Sequence, residues 1–145
     1  ILRHCGGVQG FLDPVNQRFP AVRVLDIQKN DDDDFKSYEA VSRLMNRFPE
    51  LNALYFTAGG VYGGCRAVLE HKKDRAVQVI SFDDVEKTKE LVKSGVINAT
   101  ICQQPFRQGS RPVRLLFDYL TTGSAPSPAV QYTETAIKIR ENIGP

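Results

Sequence analysis

Between Ala53 and Cys102, short apolar runs rich in β-branched and aromatic residues alternate with segments whose apolar positions recur at helical spacing. This alternation constrains the fold more than any other feature. Strand-like runs at Ala53–Thr57, Val77–Phe82 and Asn98–Cys102 are separated by a helical pattern through Val61, Cys65, Val68 and Leu69, and by another from Val85 to Ser94. Connections of that length cannot be hairpins, so successive strands are expected to lie parallel, joined by crossover helices. Gly95 stands where a left-handed residue ends a helix most easily. The expected class is α/β, a parallel-sheet, three-layer lobe.

The same reading extends outward. Val8, Phe11, Leu12, Val15 and Phe19 share one helical face, with Pro14 as a kink. Val22–Ile27, rich in β-branched residues, is expected to be a strand. Gln28–Asp34 is a loop whose aspartates can cap the next helix, and that helix carries Phe35, Tyr38, Val41, Leu44, Met45 and Phe48 until Pro49 closes it. Downstream, Gln108–Leu120 forms a helix with a stripe of Val113, Leu116, Phe117 and Leu120 that needs a sheet or a partner to cover it. Thr121–Pro128 is a surface connection, and Tyr132–Ile139 a half-buried edge strand. A helical pattern so close to Ile1 suggests that the chain starts inside a fold, with a portion upstream of it.

Charge excludes some functions. The chain has 19 basic and 17 acidic residues, a formal net charge of +2, and no basic block, so nucleic-acid contact by this segment is not expected. The apolar runs fall far short of the roughly 20 residues needed to cross a bilayer, so no membrane partner is expected. Cys5, Cys65 and Cys102 make an odd set without metal-ligand spacing, and His4 and His71 lie far apart. Neither a metal site nor a disulfide scaffold is expected, and the odd count leans towards a cytoplasmic location. No nucleophile and base pair can be assembled, so no catalytic residue, no cofactor and no enzyme activity are expected.

In an open parallel sheet, ligands bind beyond the carboxyl ends of the strands. Gln28–Asp34, Thr57–Gly60, Asp83-Asp84 and Gln103-Gln104 fall at those ends. Asp83 could accept hydrogen bonds from two vicinal hydroxyls of a sugar-like ligand, or it could cap the helix at Val85, a task that suits Asp84 at least as well. Thr57-Ala58-Gly59-Gly60 could offer backbone N–H groups to an anion, or its glycines could serve close helix packing.

The order Gly10-Phe11, QKNDDDD, LNALYFTAGGVYGGCRAVLE and VISFDDVEKTKELVKSGVINATICQQPFRQG resembles the effector-binding domain of lac-repressor-type transcription regulators, and equally the related periplasmic sugar-binding proteins. The sharpest part is ISFDD followed by SGVINATICQQP. The resemblance implies a two-lobed, type 1 periplasmic-binding-protein-like fold crossed three times at a hinge, with ligand between the lobes. It makes this chain an incomplete version: residues 1–103 in the C-terminal lobe, 104–124 a segment of the N-terminal lobe, and 125–145 a return to the C-terminal lobe. It places Asp83 as the hydroxyl-binding aspartate, Phe82 as the aromatic before it, and Gln103 as the hinge-side glutamine. Gly7 stands where the family has an arginine, and Ala58-Gly59 where it has an Asn-Asp pair. His4, Asp33, Asp34 and Tyr62 are the neighbours expected to compensate.

The leading expectation is the effector-sensing part of a cytosolic regulator that binds a small sugar or polyol, works as a homodimer, and reaches DNA only through an upstream helix-turn-helix. The alternative is the solute-binding component of a sugar transporter. A third reading is a flavodoxin-like or phosphate-handling domain using the Thr57–Gly60 turn. The Gln108–Leu120 helix is expected to pack against a partner copy.

Overall fold

Three strands set the frame of the chain: β1 (Ala53–Tyr55), β2 (Gln78–Phe82) and β3 (Ala99–Cys102) run parallel, and β4 (Ala136–Lys138) joins β3 antiparallel. The sheet order is β1-β2-β3-β4. This computed structural model describes residues 5–71 and 76–144. The register pairs Leu54 with Val79, Ser81 with Thr100 and Phe82 with Ile101. Because side chains alternate across a strand, Leu54, Val79, Ser81 and Thr100 share one face, while Tyr55, Ile80 and Phe82 share the other.

The first face is the dry one. Helices α2 (Asp34–Arg47), α3 (Val61–His71) and α4 (Glu86–Lys93) bury Val41, Met45, Cys65, Val68, Leu91 and Val92 with Val79 and Ile97 in one core. Burying each such aliphatic side chain contributes about 1.5–3 kcal/mol. Helix α1 (Cys5–Arg18) reaches the opposite face, where Phe11 stacks on Tyr55 at 4.6 Å between ring centroids. The result is the expected three-layer α/β arrangement with a mostly parallel sheet. The end of α4 also follows expectation, since Gly95 is left-handed (φ 75°) and the Val96 amide donates back to the Leu91 carbonyl at 2.9 Å.

Residues 22–27 correct the sequence reading, because they form no strand. The segment makes no ladder bonds to β1, and both line a mainly apolar cavity of about 710 Å³, together with Leu12, Val15 and Ile80 among others. Side chains anchor it instead: Arg23 pairs with Glu50 at 2.8 Å and Asp26 with Arg47 at 3.5 Å. A β-branched composition reports a fit to a pleated surface, and it cannot supply the neighbouring edge. The expected strand Tyr132–Ile139 likewise shrinks to Ala136–Lys138, the part paired with β3. Neither Asp83 nor Asp84 caps α4. Its N-cap is Val85, in extended geometry and without a side-chain bond.

Helix α5 (Pro105–Thr122) starts earlier than its apolar stripe, with proline in its first turn, and ends at left-handed Gly123. It has no buried residue; Val113, Leu116, Phe117 and Leu120 are all exposed. No helix of the described residues is long and apolar enough to cross a membrane.

Gly63 lets α3 meet the start of α2. A Cβ there would lie 1.7 Å from the Asp34 carbonyl oxygen, and main chain cannot give way cheaply. Gly63→Ala should therefore lower stability in urea unfolding by about 2 kcal/mol or more, overriding its gain in helix propensity. At Gly10, also helical, an added Cβ meets nothing within 4 Å, so Gly10→Ala should raise stability by about 0.5–1 kcal/mol. Equal effects at the two positions would contradict this packing.

Candidate functional site

Parallel strands bring their carboxyl ends to one side of the sheet, so the residues just past β1, β2 and β3 converge whatever their distance in sequence. A cavity of about 390 Å³ lies there, lined by Gly7, Asp32, Thr57, Ala58, Gly59, Phe82, Asp83 and Gln103. The larger cavity under α1 is mainly apolar and lies against the sheet face. The smaller one is where polar groups meet, and its volume suits a small polar ligand.

Asp83 is held by its main chain. Its amide donates to the Ile101 carbonyl at 2.9 Å, and its carbonyl accepts from the Thr100 hydroxyl at 2.6 Å. Between these anchors the residue adopts φ 65°, left-handed backbone that side chains other than glycine enter at a cost. The conformation turns the chain out of the strand and leaves the carboxylate at the cleft. Gln103, one residue past β3, approaches Asp83 Oδ1 through its Nε2 at 3.5 Å, a long contact. Phe82 forms an apolar wall, braced edge-on by Tyr55 at 5.9 Å, which in turn stacks on Phe11. An unbroken aromatic row thus runs from α1 to the cleft.

The acidic loop divides its labour residue by residue. Asp33 caps α2, accepting from the Lys36 amide at 2.8 Å, and Asp34 accepts from the Gly63 amide at 3.0 Å in the first turn of α3. Neither lines the cavity. Asp32 does, and its Oδ1 accepts from the Gly59 amide at 2.8 Å. That bond occupies an N–H of the turn Thr57–Gly60, so the turn does not present it to an anion. Gly60 serves close approach, since a Cβ there would meet Asn30 Nδ2 at 2.5 Å. Asp31 lies outside the cavity, and its salt bridge with Lys36 holds its carboxyl below the usual range.

Four residues named from sequence, Phe82, Asp83, Gln103 and Ala58, come together around the cavity. Tyr62 does not join them; Lys87 Nζ lies over its ring at 4.7 Å. His4 lies outside the described residues. Asp32 was not singled out; in the run of four aspartates it shares left-handed backbone with Asp31 (φ 51° and 58°), and its bond from the Gly59 amide and its place at the cavity set it apart. Among the described residues no three His, Cys, Asp or Glu side chains gather to hold a metal ion.

A model of the periplasmic binding protein domain matches residues 6–125. The D-allose-binding periplasmic protein of Escherichia coli (strain K12) is 24% identical over 103 residues, which cover 70% of this chain and 33% of that protein. Among solved structures, an arabinose-binding protein from Geobacillus stearothermophilus is 27% identical with a TM-score of 0.80, covering 94% of this chain and 49% of its own. The sugar-binding protein of a sugar ABC transporter from Bacillus halodurans is 26% identical with a TM-score of 0.78, covering 92% and 49%. The chain therefore spans about half the length of these solved relatives and a third of the curated one. A matched segment of this extent, over a mostly parallel sheet with its cleft at the strand ends, shows that the chain belongs to the periplasmic-binding-protein domain family.

Proposed function

We propose that this chain is the C-terminal lobe, with returning segments, of a solute-binding protein that captures a small sugar-like molecule for a transporter. The observation that carries this reading is the cleft itself: Asp83, turned out of its strand on left-handed backbone, beside Phe82 and Gln103. A carboxylate accepts hydrogen bonds from vicinal hydroxyls, and an aromatic wall covers the apolar face of a sugar ring. The names of the relatives, all binding proteins for sugars and one a transporter component, support it. No step of bond making or breaking is required.

Helix α5 supports the division into lobes. A helix with an apolar stripe and no buried residue belongs against another surface, which suits residues 104–124 as a segment of the facing lobe. Residues 1–103 and 125–145 then form the lobe described above, where β4 returns to β3. A facing lobe would complete the cleft, and closure around ligand would create the surface that a membrane partner reads.

The regulator expected from sequence uses the same cleft but adds DNA contact and a homodimer. Its internal support was the odd cysteine count, and the structure weakens that support. Burial pushes the Cys65 thiol up to about 12 and, together with Asp84, the Cys102 thiol up to about 11, so both are protonated and poorly reactive in any compartment. The cytosolic location stands or falls with the regulator reading, since a transporter's binding component works outside the cytosol.

The test is calorimetric titration of the full-length protein with pentoses, hexoses and their alcohols, beside uptake by cells lacking its gene. At least one of these should bind, Asp83→Ala should weaken it by about tenfold or more, and uptake of that sugar should fall. Unchanged affinity in Asp83→Ala would remove the site, and specific DNA binding with normal uptake would restore the regulator. The backbone makes a separate prediction. Asp83→Gly should be about 1 kcal/mol more stable than Asp83→Ala, because only glycine takes φ 65° without strain, while both lose ligand.

A further inference from the structure

We propose that the apolar cavity under α1 is the berth of a further parallel strand, formed by the stretch of the whole protein that leads into α1. The strand would lie between residues 22–27 and β1 and complete the sheet. This inference does not depend on what the cleft binds.

The cavity has the edges that a strand needs. Every residue from 21 to 28 and from 50 to 59 lines it, although side chains along an extended chain point alternately to opposite faces. Uninterrupted runs of this kind are backbone edges turned towards the space. On that side β1 is the last strand of the sheet. The Asn52 carbonyl accepts from the Gln78 amide at 2.8 Å, and the Phe56 amide donates to the Ile80 carbonyl at 2.9 Å. Alternation along the strand therefore turns the amides and carbonyls of Ala53 and Tyr55 to the cavity. Thr57, on the same edge, buries its hydroxyl oxygen without a hydrogen-bond partner among the described residues. Buried polar groups are nearly always paired, and a strand in the cavity would meet the main-chain groups along β1.

The flanking segments already share one direction. Arg23 meets Glu50 at 2.8 Å, and Asn30 donates to the Gly59 carbonyl at 2.7 Å, so residues 23–30 run the same way as residues 50–59. The β-branched residues of 22–27 suit an outer strand beside the new one. Helix α1 then identifies the occupant. Gly7, in its first turn, lines the cleft at the carboxyl ends of the strands, and Phe11 and Val15 farther along line the apolar cavity. Chain entering α1 therefore arrives where a strand parallel to β1 would finish. That strand, α1 and residues 22–27 make one crossover unit, and the 14 residues of α1 are enough to join parallel neighbours. This chain spans about half of each solved relative, so members of the family carry further chain that can supply the strand. A second copy would have no such continuity with α1.

The experiment is residue-resolved nuclear magnetic resonance on the full-length, ligand-free protein, reading amide exchange along β1 and the cross-strand Overhauser contacts it makes. With both edges of β1 paired, Ala53 and Tyr55 should exchange within about tenfold of Leu54 and Phe56. Their amides, and residues 22–27 from the other side, should show contacts to the stretch preceding Cys5. Exchange at Ala53 and Tyr55 more than about tenfold faster than at Leu54 and Phe56, as at an open edge, would overturn the inference. Contacts from these amides to any other part of the protein or to a second copy, or to nothing beyond β2, would overturn it as well.

Discussion

Asp83 reaches the cleft because two main-chain bonds fix it between β2 and β3. The Ile101 carbonyl holds its amide, and the buried Thr100 hydroxyl holds its carbonyl. Those partners are in place only if β2 and β3 keep their register, Ser81 beside Thr100 and Phe82 beside Ile101. A slip of one residue would turn Thr100 to the other face and release Asp83. The core under α2, α3 and α4 fixes that register by burying Val79, Val92 and Ile97. Hydrophobic packing thus determines where a polar group stands, and the polar group gives the fold its use.

A second constraint acts at the other rim. Gly60 and Gly63 allow the acidic loop and the start of α2 to lie directly on α3, and three consecutive aspartates then take three different tasks. Asp33 and Asp34 satisfy helix N-termini, where unpaired amides and the helix dipole favour negative charge. Asp32, displaced by its left-handed backbone, closes the Thr57–Gly60 turn and faces the cavity. The loop combines ordinary capping with one residue at the cleft.

Much of this was legible in the sequence, and for a physical reason. Alternating short strands and amphipathic helices can bury their apolar sides in few ways, so the parallel order β1 to β3 and the convergence at Asp83 and Gln103 follow from spacing. What was not legible depends on partners or on backbone angles. Residues 22–27 have strand composition but no paired edge, and residues 132–135 stop short of β3. Asp32 looks like Asp33 and Asp34 in a string of letters; only φ and the Gly59 amide separate it. Tyr62, one turn along from the cleft, is engaged by Lys87, a contact that no spacing rule announces.

Backbone hydrogen exchange on the full-length protein, with and without a bound sugar, tests the central claim most directly. The account predicts that ligand slows exchange at the carboxyl ends of three parallel strands together, residues 57–60, 82–84 and 102–104, with residues 30–32 beside them. Protection confined to the cavity beneath α1, with the strand ends unchanged, would contradict it.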